Sequence, residues 1–168
     1  MTEIFAYGWG RSALGTFLVA MSAHGIVAVE FTDDRDAALG KLAADFPDAV
    51  LAEDQAAIRS VADALDRPEG TALALDPRGT VDELRVWQAL RDIPTGSTAS
   101  YGALAARLGR PFDARIVAAA CAANRIAVLI PCHRVVKKDG SLSGYRWGYR
   151  RKRMLIDREA QAAPFALA

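Results

Sequence analysis

Apolar residues in the first part of the chain come in short runs rich in β-branched and aromatic side chains. Residues 4–9, 15–22 and 25–31 form such runs, with glycine and His24 between them, and they predict three strands. The period then lengthens. Ala37, Leu39, Leu42 and Phe46 recur at helical spacing within residues 34–46, as do Ile58, Val61, Ala62 and Leu65 within residues 54–65, predicting two helices. Arg67-Pro68-Glu69-Gly70 breaks the pattern, and residues 71–78 read as a short extended link.

From there on the periodicity is helical. Thr80 is a plausible N-cap for a helix to about Arg91, with Val81, Leu84, Trp87 and Leu90 expected to face inward. Pro94-Thr95-Gly96 ends it. Ser100 is a second N-cap candidate, for a helix through Leu104 to Leu108. After Gly109-Arg110-Pro111 a third helix is expected over residues 112–123. Two short helices joined by a glycine-containing turn give the pattern of a helix-turn-helix. The third is almost bare of bulk, with Ala114, Ala118, Ala119, Ala120, Ala122 and Ala123. Such a helix suits close approach to another surface, and equally suits tight packing in a core. Residues 126–130 form an apolar run, expected to be a buried extended segment, and Pro131 biases Ile130 to extended backbone.

Charge adds a boundary. Residues 1–78 carry a net charge of −7 and residues 79–168 a net charge of +8. The sign changes near Gly79, so we divide the chain into an N-terminal α/β domain, 1–78, and a helical domain, 79–168. A length of 168 residues accommodates two small domains with real cores. The basic half suits a polyanion such as nucleic acid, or is a solvated basic surface. No apolar run is long enough to span a bilayer, and Met1-Thr2-Glu3-Ile4-Phe5 lacks the basic region and apolar stretch of a signal peptide. The expectation is a cytoplasmic protein. With only Cys121, Cys132, His24 and His133, neither a disulfide framework nor a structural zinc site is expected.

The candidate chemistry lies in Pro131-Cys132-His133-Arg134-Val135-Val136, where a buried segment turns polar. Cysteine attacks as the thiolate, and nearby cationic or basic groups favour that form. Adjacent helical residues do not face each other, so His133 would act on Cys132 through a water. The pair reads as an activated thiol, or as a small buried residue beside a surface histidine. Cys121 and the three tryptophans, Trp9, Trp87 and Trp147, read as packing residues, His24 as a loop residue, and Arg150-Arg151-Lys152-Arg153 as a solvated helix face or, alternatively, a set of phosphate contacts.

This segment resembles the O6-alkylguanine–DNA alkyltransferases. The likeness is dense from Gly79 to Glu159 and weaker over the N-terminal part. It centres on Ile130–Val136 and on Asp139-Gly140-Ser141-Leu142-Ser143-Gly144-Tyr145-Arg146-Trp147-Gly148. Val86-Trp87-Gln88-Ala89-Leu90, Ser100-Tyr101 and Ala120-Cys121-Ala122-Ala123-Asn124 match as well. The resemblance implies an α+β fold, with a ribonuclease-H-like N-terminal α/β domain and a C-terminal helical domain carrying the helix-turn-helix. It implies direct-reversal repair, in which an alkyl group moves irreversibly from O6-alkylguanine in duplex DNA to Cys132, once per protein, with O4-alkylthymine a second candidate lesion. His133 would take the thiol proton through a water, oriented by Glu159. Asn124 would brace the active-site turn, and Tyr101 would protonate the departing guanine. Tyr145 would pack on the flipped base, Arg115 would fill its place in the duplex, Arg134 would tie down the active-site segment, and Ala122 would lie at the base-binding surface. No cofactor and no metal are implied. The partner would be double-stranded DNA, bound through the minor groove by a monomer, with no membrane involved.

Three features depart from the family pattern. Asp82 and Glu83 stand where an aromatic residue and a glutamine are usual, and Phe112-Asp113 where a basic and a small residue are common. Asp113 suits a helix N-terminus but would repel phosphate. The family's zinc-bearing methyl-phosphotriester domain has no counterpart in this sequence. Three rival readings exist: a damage-binding protein without repair activity, a transcription regulator, and a Cys-His hydrolase. The presence of Cys132 opposes the first. The alanines of the third helix oppose the second, because base readout needs polar side chains. Nothing in the sequence points to the substrate cleft and oxyanion site that a hydrolase needs.

Overall fold

The computed structural model describes residues 1–66 and 72–162. The chain forms two compact units, residues 1–78 with 125–127, and residues 79–124 with 128–168.

In the first unit, strands β1 (Glu3–Ser12), β2 (Gly15–Met21), β3 (Ile26–Phe31) and β4 (Ala49–Glu53) form one sheet in the order β3-β2-β1-β4. The β1–β2 and β2–β3 pairs are antiparallel, and β4 joins β1 in parallel. Helices α1 (Arg35–Asp45) and α2 (Gln55–Asp66) cover its two faces. Phe5 and Trp9 share a buried cluster with Leu18, Ala20, Val27 and with Ala38 and Leu42 of α1. Alternation along β1 puts Gly8 on the opposite face, where a Cβ would sit 2.7 Å from Ile58 of α2. Asp34 caps α1 by accepting the Ala37 amide. Ala38, not the expected Ala37, points inward. β4 was not anticipated: its five residues alternate weakly and stay mostly exposed. The break at 67–70 and the first residue of the expected link lie outside the described residues.

The second unit is built on α3 (Val81–Arg91), α4 (Tyr101–Leu108), α5 (Ala114–Ala123) and α6 (Tyr149–Ala162), with a two-stranded parallel pair, β5 (Ala99–Ser100) and β6 (Val135–Val136). Thr80 caps α3 in a full capping box, its hydroxyl taking the Glu83 amide while the Glu83 carboxylate takes the Thr80 amide. Glu83 thus has a local structural role. Gly79 is tight: a Cβ there would meet the Trp87 ring at 2.6 Å. Trp87 anchors α3 on α5, its indole N–H donating to the Ala120 carbonyl at 2.8 Å.

Two expectations fail in this unit. α3 buries Val86, Trp87 and Leu90, whereas Val81 is 74% and Leu84 38% exposed. At about 100° per residue, Val81 falls opposite the Trp87–Leu90 stripe and Leu84 at its margin. The apolar run at 126–130 is buried but is not an extended segment. It runs through turns with Val128 at φ 69°, a left-handed conformation that costs a β-branched residue about 1–3 kcal/mol. The run's first two residues, 126 and 127, belong to the first unit, where Ile126 forms a parallel bridge to Val29 at the edge of the sheet. Hydrophobicity reports burial, and it does not report the reversal needed to bring the chain out of α5.

Candidate active site

The site grows from the end of α5. Asn124 caps that helix and is fully buried. Its side-chain amide donates to the Ile130 carbonyl at 2.9 Å and to Cys132 Sγ at 3.3 Å. Cys132–Arg134 form one 3₁₀ turn, closed by the Arg134 amide donating to the Pro131 carbonyl at 3.0 Å. That turn leaves Cys132, His133 and Arg134 buried and pointing to different surroundings.

Helix α6 supplies the charged partners. Lys152, Leu155 and Glu159 are its buried residues, spaced to share one face. Glu159 Oε1 lies 2.7 Å from His133 Nε2. Arg134 grips the same carboxylate twice, Nε to Oε2 at 2.9 Å and Nη2 to Oε1 at 3.0 Å. Arg134 also donates to the Ile93 carbonyl at 2.6 Å and the Thr95 hydroxyl at 3.1 Å. Burial raises the Glu159 pKa, but the hydrogen bonds from His133 and Arg134 outweigh it and hold the carboxyl down to about 2. Burial pushes His133 down, and Glu159 opposes this only in part, so the imidazole is neutral. A carboxylate can only accept, so His133 carries its proton on Nε2 and presents a lone pair at Nδ1. That Nδ1 is buried and has no protein partner among the described residues.

Cys132 lines a cavity of about 660 Å³ with Tyr101 from α4, Ala118, Cys121 and Ala122 from α5, and Ser143, Gly144, Tyr145 and Arg146 from the loop before α6. Burial raises the Cys132 thiol above its ordinary range despite the Asn124 hydrogen bond and the nearby Lys152 charge. The resting group is therefore a thiol, and a base must take its proton at the moment of attack. Tyr145 is held edge-on between His133 and Trp147, at ring-centre distances of 6.5 and 5.3 Å. Arg146 donates to the Asn124 carbonyl at 3.0 Å. Among the described residues no three His, Cys, Asp or Glu side chains gather as they would around a metal ion.

Of the residues singled out from sequence, Cys132, His133, Arg134, Asn124 and Glu159 lie together, joined by these hydrogen bonds and the 3₁₀ turn. Tyr101, Tyr145 and Ala122 line the cavity. Arg115 does not: it is exposed at the start of α5. Trp9, Trp87 and Trp147 are buried, His24 is exposed, and Cys121 is buried in the cavity wall. The basic run corrects one expectation. Arg150 and Arg153 are exposed, but Lys152 is fully buried, donating to the Val135 carbonyl at 2.7 Å and to Ser143 Oγ at 2.9 Å. The 152/155/159 spacing was the available signal, hidden by three flanking arginines.

Residues 83–161 match the family model for the 6-O-methylguanine DNA methyltransferase, DNA binding domain. The chain is 47% identical over 160 residues to the bifunctional transcriptional activator/DNA repair enzyme Ada of Escherichia coli, covering 92% of this chain and 45% of that protein. It thus spans about half the length of that relative. It is 37% identical to the inducible methylated-DNA–protein-cysteine methyltransferase of Bacillus subtilis, covering 70% of this chain and 69% of that one. The structure of Mycobacterium tuberculosis OGT in complex with DNA superposes with a TM-score of 0.77 at 31% identity, over 95% of this chain and 96% of that one. The chain belongs to the 6-O-methylguanine DNA methyltransferase family.

Proposed function

We propose that this protein repairs duplex DNA by moving the alkyl group of O6-alkylguanine onto Cys132, irreversibly and once per molecule. The observation that carries the reading is a buried cysteine in a cavity wall whose neighbouring histidine is oriented by a carboxylate to leave Nδ1 free as a base. His133 takes the thiol proton through a water. The sulfur attacks the alkyl carbon in line, the carbon–O6 bond breaks, and the guanine leaves with a proton from Tyr101. The thioether formed is stable to water, so no turnover follows, and the alkyl group comes from the DNA without a cofactor.

Reaching O6 requires extruding the nucleotide, at a cost of a few kcal/mol. We read α4, the connector and α5 as a helix-turn-helix, with residues 79–168 as the DNA-binding and transfer domain and residues 1–78 as a ribonuclease-H-like domain. Ala118 and Ala122 leave α5 slim where it borders the cavity. Exposed Arg115 fills the place of the extruded base, and Tyr145 packs against that base. A second depression, of about 500 Å³, joins Ser100 to Ala103 at the start of α4 with Lys137 and Lys138. Helix-start amides and lysines together suit a phosphate. The protein would act as a monomer in the cytoplasm; among the described residues no helix is long and apolar enough to cross a membrane.

The test is intact-mass analysis after incubation with a duplex containing one O6-methylguanine, followed by peptide mapping. A gain of one methyl group on Cys132, absent in Cys132→Ala, is expected. Tight lesion binding without a mass gain would leave damage recognition as the function.

A further inference from the structure

Lys152 has no role in the thiol chemistry described above, yet it is fully buried, at a cost that only good partners offset. Its two acceptors are the Val135 carbonyl at 2.7 Å and Ser143 Oγ at 2.9 Å. Ser143 has one other partner among the described residues, the Tyr101 hydroxyl, in a short hydrogen bond whose direction the heavy atoms alone leave open. Lysine constrains that direction. An ammonium has donors only, and a serine hydroxyl has one proton and two lone pairs. Ser143 accepts from Lys152, which leaves its single proton available to its remaining partner, the Tyr101 oxygen. Tyr101 then does not spend its own proton on Ser143 and can turn it into the cavity that both residues line.

We infer that Lys152, acting through Ser143, is a positioning residue that holds Tyr101 with its phenolic proton presented to the cavity as the acid for the departing base. This rests on the reading of that cavity as the lesion site. When the carbon–O6 bond breaks, its electron pair stays on the guanine, which takes the Tyr101 proton. The phenolate takes the Ser143 proton, and Ser143 takes one from Lys152, which is left as a neutral amine. The negative charge of the leaving group and the positive charge of the lysine disappear together. Because each molecule reacts once, one stored proton suffices.

The opposite polarity, with Tyr101 donating to Ser143, would face the leaving group with lone pairs only. Phenol titration separates the two without any DNA, read by ¹³C-tyrosine NMR with Tyr101→Phe to assign the signal. If Ser143 donates, it stabilises the phenolate, and Ser143→Ala raises the Tyr101 pKa. A fall in that pKa would overturn the inference. Single-turnover alkyl transfer supplies the second arm. Ser143→Ala should slow transfer about tenfold, Ser143→Thr should restore most of the rate, and Ser143→Ala should add nothing in a Tyr101→Phe background. Full additivity in that cycle would overturn a role acting through Tyr101. Ser143→Ala keeps the buried lysine and its carbonyl partner, so it tests the chain even if Lys152→Met fails to fold. A wild-type protein that transfers nothing, with the titration as expected, would remove the lesion reading and leave the polarity standing.

Discussion

Both oxygens of Glu159 are engaged, by His133 and Arg134, so replacing this carboxylate tests the proposed chemistry and the stability together. Glu159→Gln keeps the shape and removes the charge, leaving the Arg134 guanidinium buried without its counter-ion. Breaking a buried pair in this way costs about 3–5 kcal/mol, and thermal melting of the variant should show it. Transfer should slow as well, because a glutamine can turn its NH₂ to His133 and no longer fixes the tautomer. Cys132→Ala, in contrast, should melt close to wild type while losing transfer entirely. The same groups set an acid limit. His133 is depressed below its ordinary 6.5, so the unfolded chain binds that proton more readily and stability falls as pH drops through 6.5. Glu159 is held at about 2 against an ordinary 4.5, so a second loss begins as pH falls through 4.5 and continues toward 2. Melting temperature against pH should decline in these two stages, and Glu159→Gln should shrink the lower one to the part that Asp45 and Asp76, also held low by their cationic partners, contribute. A flat profile from pH 7 to 3 would contradict both assignments.

Caps and periodic stripes carry the element scale, and α5 shows what they determine. Asp113 accepts the Ile116 amide at 2.9 Å, and Phe112 is buried beneath the Arg85 guanidinium, 4.8 Å from its ring centre. The departure from the family pattern at these positions is thus a cap and a packing contact. Asp113→Ala should cost about 1 kcal/mol. Asp113→Asn keeps the cap acceptor and removes a negative charge from a surface we assign to phosphate, so stability should hold while duplex affinity rises several-fold. A weaker duplex affinity in Asp113→Asn would argue that this helix end faces away from the backbone. Two such caps are legible from sequence: Thr80 and Ser100 each take a first-turn amide, because capping is decided within three residues, whereas Asp113, expected inside its helix, caps it instead. Cys132, His133 and Glu159 were named from motif resemblance, and their hydrogen bonds appear in the structure. What sequence did not convey depends on distant packing. The turn at Val128 answers to neighbours far along the chain, whereas the exposure of Val81 follows from the phase of its own helix. Lys152 sits in a run of cations whose other members face solvent, and only the helix phase tells it apart.

At the scale of the whole chain the relevant quantity is charge asymmetry, −7 in residues 1–78 against +8 in residues 79–168. A net charge of +1 would suggest little attraction to DNA, but phosphate contacts respond to local charge. Each phosphate neutralised by a lysine or arginine releases counterions, giving a slope of about −0.9 in log affinity against log salt. Lys137 and Lys138 are exposed beside the start of α4, and Arg115 is exposed at the start of α5. If these three make phosphate or groove contacts, undamaged duplex binding should show a slope of roughly −3. Replacing Lys137 and Lys138 together with glutamine should make it shallower by roughly 2, with little change in melting temperature, since neither side chain is buried. Arg115→Ala should behave differently if it holds the space of the extruded base. It should slow transfer from a lesion in duplex DNA far more than from the same lesion in a single strand, where no gap needs filling. Equal slowing on both substrates would reduce Arg115 to a phosphate contact, and a salt slope near zero would remove residues 79–168 as the DNA-binding surface.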